Sequence, residues 1–271
     1  MTSKYGMSEL LAQLKLVGIE QGDSIIVHTS MKSLGWISGG ERAVITALCT
    51  AVGEDGNVVM PSQTPELSDP STWTEDPAPE AEWDDIRDSI MGYDKMLTPV
   101  IGQGRVAELF RTYPNVLRTE HPLDSFSVWG KDADEIATLD NYDFPFGDDG
   151  VLGKLYKHDA KIVMIGTDFE TNTSIHLAES RLNRDVTTEI APVEVGSFLE
   201  PQKQLIEFKN VALDRYENFK AIETAFLNTI ENKRSIKLNN GELRTFSMRD
   251  CVDFAFSYLK KLDAEQTKKN A

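Results

Sequence analysis

Cysteine is nearly missing from this chain: Cys49 and Cys251 are the two among 271 residues, and they form no Cys-x-x-Cys pair. That excludes a disulfide framework and a thiolate zinc site, and it points to a reducing compartment. Basic residues are in deficit, with 28 Lys and Arg against 44 Asp and Glu and a formal net charge of −16. Such a surface repels a phosphate backbone, so nucleic acid is not an expected partner. The same acidity would draw in a polycationic substrate, but it also serves solubility in ordinary cytosolic proteins, and charge alone does not choose between them. No run approaches the ~18 consecutive apolar residues of a membrane span. Residues 1–16 mix charges with apolar positions and lack a secretion signal. A cytoplasmic protein with no membrane partner is expected. Internal repeats, low-complexity tracts and a composition shift that would mark a linker are also lacking.

What is present is ordinary globular material, 40% apolar and 27% charged. At ~150 residues per domain the length allows two domains or one large one, and without a linker we expect a single domain over residues 1–262 with a polar tail at 263–271. Leu10, Leu11, Leu14 and Val17 repeat at helical spacing after Ser8, and Gly18 is placed to stop that helix. SIIVHT (24–29) and NVVM (57–60) read as buried strands around a helical stretch at 41–52, a β-α-β unit that predicts a parallel sheet. Ligands of such sheets sit at the carboxyl ends of the strands, which points to residues 28–30 and 61–64. Residues 65–98 turn to Pro, Asp, Glu and Ser and read as a long lid-like insert packed down by its tryptophans. KIVMIG (161–166) is the clearest buried strand; an extended stretch at 204–208 and helices at 216–230 and 248–259 follow.

Three constellations carry chemistry. The first, residues 28–40, runs from a strand end through His28, Ser30, Met31, Lys32, Ser33, Leu34 and Gly35 into a helix. Its free backbone N–H groups and hydroxyls suit a pyrophosphate, although a Gly/Ser-rich turn before a helix is also simply a turn. It is neither a P-loop nor a hydrolase elbow. Gly102-x-Gly104-x-x-Ala107 meets the loose dinucleotide pattern without the apolar strand that should precede it, so the match reads as accidental. The second is Thr171 to Glu179, where Thr173 and Ser174 can cap a helix carrying His176 and Glu179 three apart on one face. A carboxylate-oriented histidine is a general base in waiting, while a helix-start histidine bonding locally fits the same spacing. No second spaced pair joins them, so no metal is expected. The third, the turn at His121-Pro122 entering a strand, fits a structural or a ligand-binding role equally.

Taken in order, VHTSMKSLGWISGG, VVMPSQT, LFRTYPNVLRTEHPLDSFSVWG, GVLGKLY and KIVMIGTDFETNTSIHLAE resemble the aminoglycoside N3-acetyltransferase family, over nearly the whole chain from Met7 to about Leu262. The resemblance implies a three-layer α/β sandwich unrelated to the GNAT acetyltransferases. It implies acetyl transfer from acetyl-CoA, as co-substrate, to a small-molecule amine acceptor, by a monomer or homodimer without a metal. It places the catalytic histidine at His176 and the CoA contacts along residues 30–40. Its Trp-x-Glu strand aligns with Leu205-Ile206-Glu207 without the tryptophan, which puts Glu207 slightly ahead of Glu179 as the histidine's acidic partner. Thr64, Thr98, Arg105, Ser125 and Phe126 fall in segments that resemble cofactor-lining or substrate-cleft positions. An acetyltransferase for another amine, or a CoA-binding protein without turnover, are the alternatives to an aminoglycoside-like acceptor.

Overall fold

The computed structural model describes residues 6–73, 77–213, 216, 218–231, 234–238 and 240–270. In chain order the first part holds α1 (Met7–Leu16), β1 (Ser24–Thr29), α2 (Met31–Leu34), α3 (Gly40–Val52) and β2 (Asn57–Pro61). After the insert come α4 (Trp83–Ser89), α5 (Arg105–Phe110), β3 (Leu117–Arg118), β4 (Phe126–Gly130), α6 (Ala133–Ala137), α7 (Val151–Lys157), β5 (Lys161–Ile165) and α8 (Ile175–Ser180). The last third holds β6 (Val186–Glu194), β7 (Lys203–Val211), α9 (Phe219–Leu227), β8 (Arg234–Lys237), β9 (Glu242–Ser247) and α10 (Met248–Asn270).

Seven strands form one sheet in the order β3-β4-β2-β1-β5-β9-β8. The parallel expectation holds at its centre, where β1 pairs with β2 and with β5 in parallel, and fails at the flanks, where β4, β3, β9 and β8 join antiparallel. Alternation along the strands separates two cores. Ile25, Val27, Val58, Met60, Val163 and Ile165 pack under α1, α3 and α5. Ile26, Val59, Ile162, Met164 and Phe246 pack under α6 to α10. Helices therefore cover both faces, and the architecture is a three-layer α/β sandwich.

Three segments depart from the expectations. The described part of the lid-like insert at 65–98 carries short 3-10 turns and α4, elements that its composition did not announce. Its firmest anchor is Tyr93, 2% exposed, rather than Trp73 or Trp83. The Tyr93 hydroxyl donates to the Thr119 carbonyl at 2.7 Å, and its backbone bridges to Val193 of β6. The stretch at 204–208 is the middle of β7, which forms with β6 a separate two-stranded sheet packed on the insert through Leu67, Tyr93, Leu123, Ala191 and Phe208. The residues expected to fray as a polar tail continue α10 to Asn270. Buried Met248, Cys251, Val252, Ala255 and Leu259 seat its first half, and Asp263 is tied down by Arg184 and Tyr216.

Candidate active site

Because β1, β2 and β5 run in parallel, their carboxyl ends open on one edge of the sheet, and a cavity of about 810 Å³ lies there. Its walls include Val27 to Lys32 from β1 and α2, Met60 and Pro61 from β2, Gly166 to Asp168 after β5, Gly102 to Arg105 before α5, and Lys220, Glu223, Glu242 and Arg244. The volume suits a large organic ligand. Ion pairs occupy three of its cations: Arg105 with Glu41 at 2.9 Å, Lys220 with Asp168 at 3.5 Å and Arg244 with Glu223 at 2.5 Å. Lys32, exposed at the mouth, has no ion pair among the described residues.

The residues read from sequence as cofactor contacts separate into three groups. His28, Ser30, Met31, Lys32 and Arg105 line the cavity. Ser33, Leu34 and Gly35 are not among the lining residues. Leu34 is a core residue at 2% exposure, Gly35 ends α2 at φ 73°, and Ser33 packs on Gly166, whose Cβ, if it had one, would lie 2.5 Å from that of Ser33. Ser30 caps α2 by accepting from the Ser33 N–H at 3.3 Å. Thr64, Thr98, Ser125 and Phe126 instead build the scaffold behind the β2 end. The Thr64 hydroxyl donates to the Pro122 carbonyl. Arg118 donates to the Thr98 and Ser62 carbonyls and to the Ser125 hydroxyl, and Phe126 meets Phe146 edge to face. Gly102 and Gly104, both at positive φ, reach the cavity as part of a loop before α5, with no strand leading into them.

His176 is set by the chain that leaves β5. Gly166 turns at φ 70°, Phe169 buries against Phe226 and Phe246, and Asn172 Oδ1 accepts from the Ser174 N–H at 3.2 Å. The side-chain cap expected from Thr173 or Ser174 is not made: Ser174 is the N-cap residue, but its hydroxyl is buried without a partner among the described residues, and the Asn172 bond only fixes the turn ahead of the helix. Buried Ile175, Leu177 and Ala178 hold α8 in the core. The imidazole, 14% exposed, lies between the rings of Phe146 at 4.9 Å and Phe219 at 5.4 Å.

Nδ1 of His176 is 2.8 Å from Oε2 of Glu179. Glu179 is 1% exposed, and its Oε1 accepts from Arg184 Nη1 at 2.8 Å. Burial pushes this carboxyl up, but the bonds from His176 and Arg184 prevail and hold it below the usual range, so it is anionic at neutral pH. Glu207, preferred from the sequence alignment, stands exposed on β7 opposite Ile190. The carboxylate that meets His176 in the fold is Glu179.

Two further groups face His176. His28 shares a strand face with Ile26, on the α8 side of the sheet, as alternation requires. Burial and the nearby His176 lower it to about 3, so it is neutral, and its Nε2 is buried without a partner among the described residues. Asp124 is raised to about 7 by burial and by Glu189, against the pull of His176. The turn carrying it is pinned by His121, whose Nδ1 accepts from the Asp124 N–H at 2.8 Å and whose Nε2 bonds to the Tyr142 carbonyl. This supports the structural reading of His121. Sequence reasoning missed Asp124, Glu189, Phe146, Phe219 and Arg184, whose local patterns carry no signal. Among the described residues no group of three or more His, Cys, Asp or Glu could hold a metal ion, and no helix is long and apolar enough to cross a membrane.

Comparison with known proteins identifies the family. The Antibiotic_NAT family, aminoglycoside 3-N-acetyltransferase, matches residues 26–260. The chain is 38% identical to the SPbeta prophage-derived aminoglycoside N(3')-acetyltransferase-like protein YokD of Bacillus subtilis strain 168, over 94% of this chain and 93% of that one. It is 32% identical to aminoglycoside N(3)-acetyltransferase VIII of Streptomyces fradiae over 69% of this chain and 66% of that one. The crystal structure of YokD superposes with a TM-score of 0.89 at 37% identity, covering 97% of this chain and 96% of that chain. A structure of AAC-IIIb, binary with CoASH, shares the fold with a TM-score of 0.80 at 22% identity, covering 96% and 97%. The chain belongs to the aminoglycoside 3-N-acetyltransferase family, a family of acyltransferases.

Proposed function

We propose that this protein transfers an acetyl group from acetyl-CoA to an amine of a cationic, aminoglycoside-like acceptor in the cytoplasm, with His176 as general base. The observation that carries the reading is the His176–Glu179 pair, whose part-buried imidazole packs against Phe146 and Phe219 and is electrostatically coupled to His28 on the wall of the large cavity. Acetyl-CoA supplies the thioester. The cavity at the strand ends has the size for it, and Lys32, with Arg105 and the open backbone of Gly102 and Gly104, offers positive charge and close approach for its phosphates.

The acceptor amine attacks the thioester carbonyl directly. A C–N bond forms, the C–S bond breaks, the electron pair leaves with sulfur, and Nε2 of His176 takes the surplus proton from nitrogen. The anionic Glu179 fixes the tautomer with Nδ1–H toward itself and steadies the imidazolium that forms. No covalent enzyme intermediate is needed. Asp124, which feels both the His176 imidazole and Glu189, suits an acceptor that brings ammonium groups, since a cation there would relieve the Asp124–Glu189 repulsion.

The test is thiol release from acetyl-CoA over a panel of aminoglycosides and simple polyamines. His176→Ala should lose about 100 to 10,000-fold in turnover while binding CoA as the parent does. Full activity in that variant would remove the assignment, and CoA binding without thiol release from any amine would mean a binding protein instead.

A further inference from the structure

We propose that Arg184 and Asp263 are positioning residues for acetyl transfer: together they hold Glu179 so that Oε2 alone is presented to Nδ1 of His176. The inference rests on the reading of His176 as the base. A carboxylate on a six-residue helix could turn either oxygen, or a different rotamer, toward the ring. Here both oxygens are used, Oε2 by His176 and Oε1 by Arg184, each at 2.8 Å. Arg184 is itself 1% exposed. Asp263 of α10 orients it from the far side, with Oδ2 3.1 Å from Nε and Oδ1 3.4 Å from Nη2. The Tyr216 hydroxyl donates to the same Asp263 Oδ1 at 2.6 Å.

Charge alternates along this line, from the imidazole that takes the proton to Glu179, Arg184 and Asp263. With His176 neutral, these three groups carry one net negative charge; with His176 protonated, the four are balanced. Asp263 also offsets the pull of Arg184 on Glu179, leaving that carboxylate free to favour the imidazolium. Among the described residues, the other charged or titratable groups facing His176 are His28 from β1 and Asp124 from the turn before β4. Arg184 follows α8, and Asp263 lies past Leu262 in the segment whose composition suggests a solvated tail. The late part of α10 thereby acquires a role at the reaction centre.

The experiment compares Arg184→Met, Arg184→Lys and Asp263→Asn in thiol-release kinetics across pH, with NMR titration of the His176 ring in the resting protein. Arg184→Met should lower kcat on the order of tenfold to 100-fold with little change in the acceptor KM, because a misplaced base slows the step rather than binding. The acid limb of the kcat profile and the ring titration should both move to higher pH, since the Arg184 charge that competes with the imidazolium for Glu179 would be gone. Arg184→Lys should return the limb toward its original position, and Asp263→Asn should give a smaller loss. A merely structural pair would lower the melting temperature while leaving kcat, the limb and the ring titration unchanged, which would overturn the inference. If Arg184→Met fails to fold, an unchanged kcat and titration in Asp263→Asn overturns it alone. Full turnover in His176→Ala would instead overturn the base assignment beneath it.

Discussion

Glu179 reaches His176 from three residues along the same short helix, Oε2 to Nδ1 at 2.8 Å, while Glu207 lies on a separate two-stranded sheet with its side chain in solvent. Glu179→Gln removes the charge that steadies the imidazolium and permits the wrong tautomer, so kcat should fall on the order of 100-fold or more. Glu207→Gln should turn over as the parent does. Steady-state kinetics of the two variants side by side separate the assignments, and equal losses in both would count against the Glu179 pairing.

At the cavity mouth Lys32 is the cation without an ion pair among the described residues, whereas the Ser33 side chain packs against Gly166. Lys32→Ala should weaken CoA binding about tenfold in calorimetry at low ionic strength, and the difference should shrink as salt is added. Ser33→Ala should leave CoA affinity nearly unchanged. A salt-independent loss, or a larger effect at Ser33, would relocate the phosphate contact.

Gly166 stands where β5 turns toward the His176 segment, at φ 70°, with the Ser33 Cβ 2.5 Å from where its own would be. Gly166→Ala therefore meets a strained backbone and a clash, and about 1–3 kcal/mol of stability should be lost in chemical denaturation. Adding Ser33→Gly removes the clash and leaves the backbone strain, so the double variant should recover part of the loss. Additive losses would mean that the contact is not the cause.

Asp124 keeps its proton to about pH 7 in the folded chain, because of burial first and Glu189 second, against 3.8 for the ordinary side chain. Between those values the folded state binds more protons than the unfolded one, so this contribution to stability falls as pH rises through the window. Asp124→Asn should melt higher than the parent at pH 8, and the gap should close below pH 4, by scanning fluorimetry. Where Asp124 also holds the acceptor, the variant's acceptor KM should rise.

The two buried imidazoles act with the opposite sign. Burial first, and for His28 also the charge of His176, lowers His28 to about 3 and His121 to about 4, against 6.5 for the free side chain. Below pH 6.5 the unfolded chain takes up protons that the folded chain refuses, so their contribution to stability is present above 6.5 and lost as pH falls toward 4. His121→Asn should show a shallower decline in melting temperature between pH 6.5 and 4.5 than the parent. An equal slope would mean that His121 does not supply this linkage.

The local pattern of the chain by itself determined the central β1-α3-β2 unit, the buried strand β5, the helix carrying His176 and Glu179, and the turn that leads from β1 through residues 28–40 into α3. Those follow from short-range periodicity and turn chemistry, which reside in neighbouring residues. Only the tertiary structure decided between Glu179 and Glu207, because a motif alignment orders residues along a chain and cannot say which face of which sheet they occupy. It likewise sent Ser33, Thr64 and Ser125 into scaffolding while Lys32 stayed at the cavity. The antiparallel flanks of the sheet and the helical end of α10 were beyond local reading for the same reason. β9 is specified by pairing with β5, and Asp263 by Arg184, 79 residues away. Such contacts carry their free energy only once the sandwich has closed around them, so no window of sequence contains them.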